Sequence, residues 1–217
     1  MSVAPRPADE AGITAAVDAL ARGRLILHPT ETVVSLSGDP RSETAVTAAR
    51  ALKGYAEPRP FVCLVPGTEA ARELAGEWPP AAERLAAAFW PGPLTLVLPA
   101  SDEAPSAVIA DGSIAVRPAA DPVSAAILAA WRRPLFSTSA NRRGGSPPTE
   151  VPVALGLLTR AGDDAIEVAL EPLGPTVPAG RPSSIVDAGA RPPRLLREGA
   201  IPGARIREVV GELREPG

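Results

Sequence analysis

Apolar positions along this chain switch repeatedly between a spacing near 3.6 and short continuous runs, and the switches mark its elements. Ile13, Val17 and Leu20 recur at helical intervals between Asp9, which can cap, and Gly23, which can end the helix. Residues 24–28 then form a buried-strand run broken by Pro29. Residues 30–38 mix hydroxyls with branched apolar side chains, a composition that suits either a half-buried strand or a pocket wall. A helix from Ser42 or Glu43 carries Ala45, Val46, Ala49 and Leu52 and ends at Lys53-Gly54. After a loop at 55–60, residues 61–65 form a strand, Thr68 opens a short helix, and Pro80 opens another to Phe89. Trp90-Pro-Gly-Pro93 predicts a rigid turn feeding a strand to Leu98.

Residues 101–112 read as a loop with some extended character, Ser113–Pro118 as a strand, and 121–131 as a helix. A helix over 151–160 and a strand over Ile166–Leu170 lead to a Pro/Gly-rich excursion. A final strand pair is expected at 183–187 and Arg194–Arg197. Ile206, Val209, Val210 and Leu213 predict a closing amphipathic helix over 204–214. Strands interleaved with helices predict an α/β fold, with a twisted mixed sheet because several connections are too short for crossover helices. Residues 1–8 are Pro-rich and expected to be loose. The length fits a single domain over 1–217.

Composition narrows the chemistry. Of 22 basic residues only Lys53 is a lysine, and Asn141 is the sole asparagine. Where solvated cations are otherwise written as arginine, a retained lysine points to a site needing a compact point charge. One cysteine and one histidine exclude an intrachain disulfide and a His/Cys zinc site, and Cys63, inside an apolar run, reads as a core thiol. A net charge of −3 argues against extensive nucleic-acid binding, leaving room for a local basic cavity. No apolar run approaches the ~20 residues of a membrane span, and the N-terminus has no signal-peptide core. The expected location is the cytoplasm.

The candidate centre is Ser137-Thr-Ser-Ala-Asn141, where the apolar run Leu135-Phe136 passes into hydroxyls and a carboxamide. In open α/β sheets ligands bind where strands end. A turn serving only its own backbone satisfies the same string. Thr30, Thr32, Lys53, Arg117, Ser183, Ser184 and Arg197 complete a set of strand-end cations and hydroxyls. Ser-His-Asp sets, carboxylate pairs, dinucleotide fingerprints and the Gly-x-x-x-x-Gly-Lys loop are all missing. Such a set suits phosphoryl or nucleotidyl transfer, in which positioning and charge neutralisation do most of the catalysis.

Seven stretches in order, Pro29-Thr-Glu-Thr32, Lys53-Gly54, Pro91-Gly-Pro-Leu-Thr95, Ala115-Val-Arg117, Ser137-Thr-Ser-Ala-Asn141, Ser183-Ser-Ile-Val-Asp187 and Leu196-Arg-Glu-Gly-Ala-Ile201, resemble the YrdC-like threonylcarbamoyl-adenylate synthases. The resemblance spans about residues 12–203, the expected core. It implies an α/β fold around a deep, positively charged cavity, and the conversion of L-threonine, bicarbonate and ATP to threonylcarbamoyl-AMP and pyrophosphate for tRNA modification. By that likeness Thr32, Arg117, Ser137 and Ser183 hold threonine. Lys53, Ser113, Ser139, Asn141 and Arg197 hold ATP, with Mg carried by the nucleotide. Lys53, Ser139 and Asn141 are the implied catalytic group. Downstream tRNA-modification proteins are the implied partners, with at most weak RNA contact.

The chain departs from the family's pattern in three places, one of them Arg143-Gly144 where the family has Ser-Gly. Val34-Ser-Leu-Ser37 stands where the family has Tyr-Gly-Leu-Gly, and Tyr55 replaces an arginine for which Arg59 is the candidate substitute. A paralogue handling another carbamoyl-adenylate, or a non-catalytic RNA- or ribosome-binding module, are the alternatives these departures keep open.

Overall fold

A computed structural model describes residues 3–54, 60–159, 164–174 and 178–215. Side-chain caps fix the helix starts where the sequence places them. Asp9 accepts from Gly12 N ahead of α1 (Glu10–Ala21), and Ser42 accepts from Ala45 N ahead of α2 (Glu43–Lys53). Asp121 accepts from Val123 N and Ser124 N ahead of the helix that begins at Pro122. Each such cap stabilises its helix by ~1 kcal/mol. Gly54 closes α2 in the left-handed region, φ 67°, as a C-terminal glycine does without steric cost.

In chain order the remaining elements are β1 (Pro5–Arg6), β2 (Leu25–His28), β3 (Ser35–Gly38), β4 (Val62–Val65), α3 (Thr68–Glu73), α4 (Pro80–Phe89), β5 (Leu94–Pro99), β6 (Ile109–Ala110), β7 (Ser113–Pro118), α5 (Pro122–Trp131), β8 (Leu135–Ser139), α6 (Val151–Leu158), β9 (Ile166–Leu170), β10 (Ser184–Asp187), β11 (Arg194–Arg197) and α7 (Gly203–Val210). The strands form one mixed sheet in the order β1-β9-β2-β3-β8-β4-β7-β5-β10-β11, with β6 paired to β7. Pairs β1/β9, β2/β9, β4/β7 and β5/β10 are parallel and the others antiparallel. The α/β fold with a mixed sheet is as the element pattern predicts.

Alternation along the strands divides the core. Ile26, Leu64 and Leu135 face α1 and α5, packing with Leu20, Ile127 and Trp131. Leu25, Leu27, Cys63, Val65 and Phe136 face the larger cluster under the other helices. Burying each such large side chain stabilises the fold by roughly 1.5–3 kcal/mol. Cys63 is a core thiol, its pKa pushed up to about 12 by burial.

One expectation needs correction. Residues 1–8 are not loose throughout: Pro5–Arg6 extends the sheet beside β9, Glu171 N donates to Arg6 O at 2.9 Å, and Ala8 is buried. A proline is tolerated there because an edge strand can spare its N–H. The extended character expected within the loop over 101–112 is β6, turned into β7 by Asp111-Gly112, both with positive φ as a tight two-residue hairpin requires.

Candidate active site

Seven strands and their loops converge on a cavity of about 320 Å³, within the range of small-ligand sites. Thr30 and Thr32 enter from the loop after β2, Ser35 from β3, Ser137 to Ser139 from β8, Arg117 from β7, and Ser183 and Arg197 from β10 and β11. Val33, Phe61, Val62 and Ile185 give it an apolar side. Phe61 is held in place by stacking on Phe136, with centroids 4.7 Å apart.

Arg117 is buried at the cavity wall. Its Nη1 lies 3.1 Å from Glu31 Oε1, off hydrogen-bonding alignment, and donates to Thr32 Oγ1 at 3.3 Å. Among the described residues its Nε has no hydrogen-bond partner. Burial draws its pKa below the usual arginine value, with Glu31 opposing. Backbone bonds from Ala179 N to Glu31 O and from Gly180 N to Thr32 O fasten this pair from outside.

Arg197 donates from Nε and Nη2 to Ser183 O at 3.0 and 2.8 Å, and from Nη2 to Ser183 Oγ at 3.2 Å. Burial, and then the charge of Arg117, draw its pKa down. Two guanidiniums facing one cavity, with the charge of Arg117 acting on Arg197, suit a receptor for anions. Thr95 Oγ1 meets Ser183 Oγ at 2.8 Å. Gly199 lies so close behind Ser183 that a Cβ there would sit 2.2 Å from Pro182 O and 2.5 Å from Ser183 C, so only glycine fits. Ser184, fully buried, bonds the backbone of Gly199 and Ile201 and is structural.

Lys53 and Asn141 come together, but behind the cavity wall. The Lys53 ammonium donates to Ser139 O at 2.6 Å, Asn141 O at 2.5 Å and Asn141 Oδ1 at 3.3 Å, clamping the turn that follows β8. Ser139 Oγ donates to Asn141 Oδ1 at 2.5 Å, and Asn141 Nδ2 donates to Arg142 O and Gly145 O. Burial lowers the Lys53 pKa to about 8. Of this group only Ser139 borders the cavity.

Ser113 does not join them. It opens β7 opposite Pro99 and Ala110, four steps along the strand from Arg117, about 13 Å at the usual rise. Ser113 is not among the residues that line the cavity. Arg59 and Tyr55 lie outside the described residues.

Sequence reasoning read residues 30–38 as strand or pocket wall without singling out Glu31, Ser35 or the residues behind Ser35. Ser35 Oγ meets Ser137 Oγ at 2.7 Å and Ser37 Oγ at 3.0 Å. Ser37 Oγ meets His28 Nε2 at 2.9 Å. The available signal was the Ser-Leu-Ser alternation next to the chain's sole histidine.

The family described as "Telomere recombination", Sua5–YciO–YrdC, matches residues 18–199. A threonylcarbamoyl-AMP synthase of Pyrococcus abyssi is 35% identical over 95% of this chain, which spans 59% of that relative's length. One from Xanthomonas euvesicatoria pv. vesicatoria is 36% identical, covering 88% of this chain and 99% of its own. The crystal structure of P. abyssi Sua5 complexed with L-threonine superposes with a TM-score of 0.85 at 33% identity, over 94% of this chain and 58% of that one. E. coli YciO, at 20% identity and a TM-score of 0.73, shares the fold. With the family model matching residues 18–199 and a relative 35% identical over 95% of the chain, the chain belongs to the Sua5–YciO–YrdC family.

Proposed function

We propose that this protein forms L-threonylcarbamoyladenylate from L-threonine, bicarbonate and ATP, releasing pyrophosphate, in the cytoplasm, for tRNA threonylcarbamoyladenosine modification. The carrying observation is one cavity in which Arg117 and Arg197 face a ring of hydroxyls, in a chain whose neighbour of known structure was crystallised with L-threonine. The threonine amine attacks the carbon of bicarbonate, with loss of water, to give a carbamate. A carbamate oxygen then attacks the α-phosphorus, and the bond to pyrophosphate breaks.

Neither step needs a strong protein base, and the site supplies positioning and cations instead. Arg117, with its unpartnered Nε, and the hydroxyls of Thr32, Ser137 and Ser183 hold threonine. Arg197 and Ser139 meet the nucleotide's phosphates, and Arg59, outside the described residues, is the sequence's candidate for a further charge. Lys53 and Asn141 act by holding the turn that carries Ser139. Glu31 is engaged by Arg117 at 3.1 Å, so Mg arrives on the nucleotide's phosphates. Proteins that transfer the threonylcarbamoyl group to tRNA consume the product.

The test is pyrophosphate release with ATP, bicarbonate and each of a panel of amino acids. Release that requires all three substrates and is greatest with L-threonine is expected. Release with a different amino acid would instead favour a paralogue with another carbamoyl-adenylate product, and no release with any amino acid would refute the reading.

A further inference from the structure

A file of hydrogen-bonded side chains runs from the cavity wall into the core. Ser137 and Ser35 border the cavity, Ser37 is fully buried behind them, and His28 is fully buried behind Ser37. At its inner end His28 Nδ1 lies 2.9 Å from Pro29 O and 3.0 Å from Ser124 Oγ, and Ser124 Oγ also donates to Pro29 O at 3.0 Å.

The hydrogens along this file have one arrangement in which every short contact is a hydrogen bond; Thr138 O, the other acceptor within reach of Ser35, lies farther off at 3.4 Å. Pro29 O is a carbonyl and can only accept, so Nδ1 must carry the ring proton. Burial, backed by the charge of Arg117, holds the His28 pKa down to about 4, so the ring is neutral near pH 7 and its Nε2 is bare. Ser37 must therefore donate to Nε2 across 2.9 Å. Having spent its one hydrogen, Ser37 accepts from Ser35 at 3.0 Å, and Ser35 in turn accepts from Ser137 at 2.7 Å. Ser137 has then no hydrogen left for the cavity.

We infer that His28 is a positioning residue which, through Ser37 and Ser35, fixes the Ser137 hydroxyl as a hydrogen-bond acceptor toward the cavity, so that this wall selects a substrate bearing an N–H donor there. The inference rests on the proposed amino-acid substrate, whose α-amine is that donor. It also gives Ser35 and Ser37 a role: the family's usual glycines at these two positions carry no hydroxyl, and this chain has built a polarised wall from them.

The chain's single histidine makes the polarity directly observable. In ¹⁵N-histidine-labelled protein near neutral pH, Nδ1 is expected to be protonated and Nε2 to resonate as a bare, hydrogen-bonded nitrogen. A proton on Nε2, or on both nitrogens, would overturn the inference whatever the enzyme's activity.

Ser37→Ala then cuts the file away from the substrate, releasing Ser35 to donate to Ser137. Competition against L-threonine is read with 2-aminobutanoate, a donor at the α-position, and 2-oxobutanoate, an acceptor there. The preference for the amine is expected to narrow about tenfold, the worth of one directed hydrogen bond, with KM for ATP unchanged. Ser35→Ala should do the same and Ser35→Thr should restore the wild-type ratio, whereas a variant that is merely misfolded would lose ATP binding as well. An unchanged ratio in both alanine variants overturns the inference. Absence of any pyrophosphate release from the wild type would sink the proposed function instead and leave the tautomer assignment standing.

Discussion

Acid should unfold this protein through one imidazole. His28 has an ordinary value of 6.5 and a folded value of about 4, because charging it would bury a cation beside Arg117. Between these two values the unfolded chain binds a proton that the folded chain refuses, so stability falls as pH drops from about 6.5 to about 4 and is unaffected by this group above that window. At about 1.4 kcal/mol per pH unit the loss comes to about 3 kcal/mol, a large share of a typical 5–15 kcal/mol domain stability. Carboxylates titrate in part of the same range, so the measurement is a difference. Urea unfolding of the wild type and of His28→Gln, which keeps a donor and an acceptor but cannot titrate, is compared at neutral pH and near pH 4.5. The wild type should lose about 2–3 kcal/mol more than the variant over that interval. Equal losses, or histidine ring signals that titrate near pH 6.5 in the folded protein, would refute the reasoning.

Other substitutions separate the parts of the site. Gly199→Ala forces a methyl against Pro182 O and the Ser183 backbone; a cost of about 1–3 kcal/mol in thermal unfolding should come with weaker L-threonine binding by calorimetry. Lys53→Met strands Ser139 O and Asn141 O in the interior, costing about 1–3 kcal/mol in urea unfolding, and should raise KM for ATP by loosening the turn after β8. Lys53 also makes stability rise as pH climbs from about 8 toward 10.5, since over that span the unfolded chain retains a proton the folded one has shed; Lys53→Met should flatten this rise in alkaline urea titrations. Arg117→Lys keeps the charge but removes the planar fork and should weaken L-threonine binding about tenfold or more, while leaving the melting temperature near that of the wild type.

What could be read from the sequence divides along physical lines. Helix ends were legible because their signals are local: Asp9, Ser42, Asp121 and Gly54 act within a few residues of themselves. Strand cores were legible from short apolar runs. β1 was not, since Pro5–Arg6 has no strand-like composition and exists only because β9 offers an edge. At the site, the threonines, serines and arginines announced themselves at strand ends, and most converge on the cavity. The separation of Ser113 from Arg117 depends on distance along an extended strand, which residue identity does not encode. Lys53 drew notice as the chain's one ammonium, yet its orientation toward loop carbonyls rather than the cavity is set by α2 and the turn after β8 packing together. Ser35 and Ser37 looked like departures, and only the pairing of β3 with β8 puts them next to Ser137.

Several of the bonds that shape the cavity tie together distant parts of the chain: Thr32 to Arg117 across 85 residues, His28 to Ser124 across 96, and Ser35 to Ser137 across 102. No contiguous fragment contains the binding site, so affinity emerges only once the central strands have docked, late in a high-contact-order folding route. Occupancy is in that sense a gauge of completed folding. A ligand at a hundredfold excess over its dissociation constant holds the native state by about 2.7 kcal/mol, enough to rescue a mildly destabilised variant wherever in the chain its lesion lies.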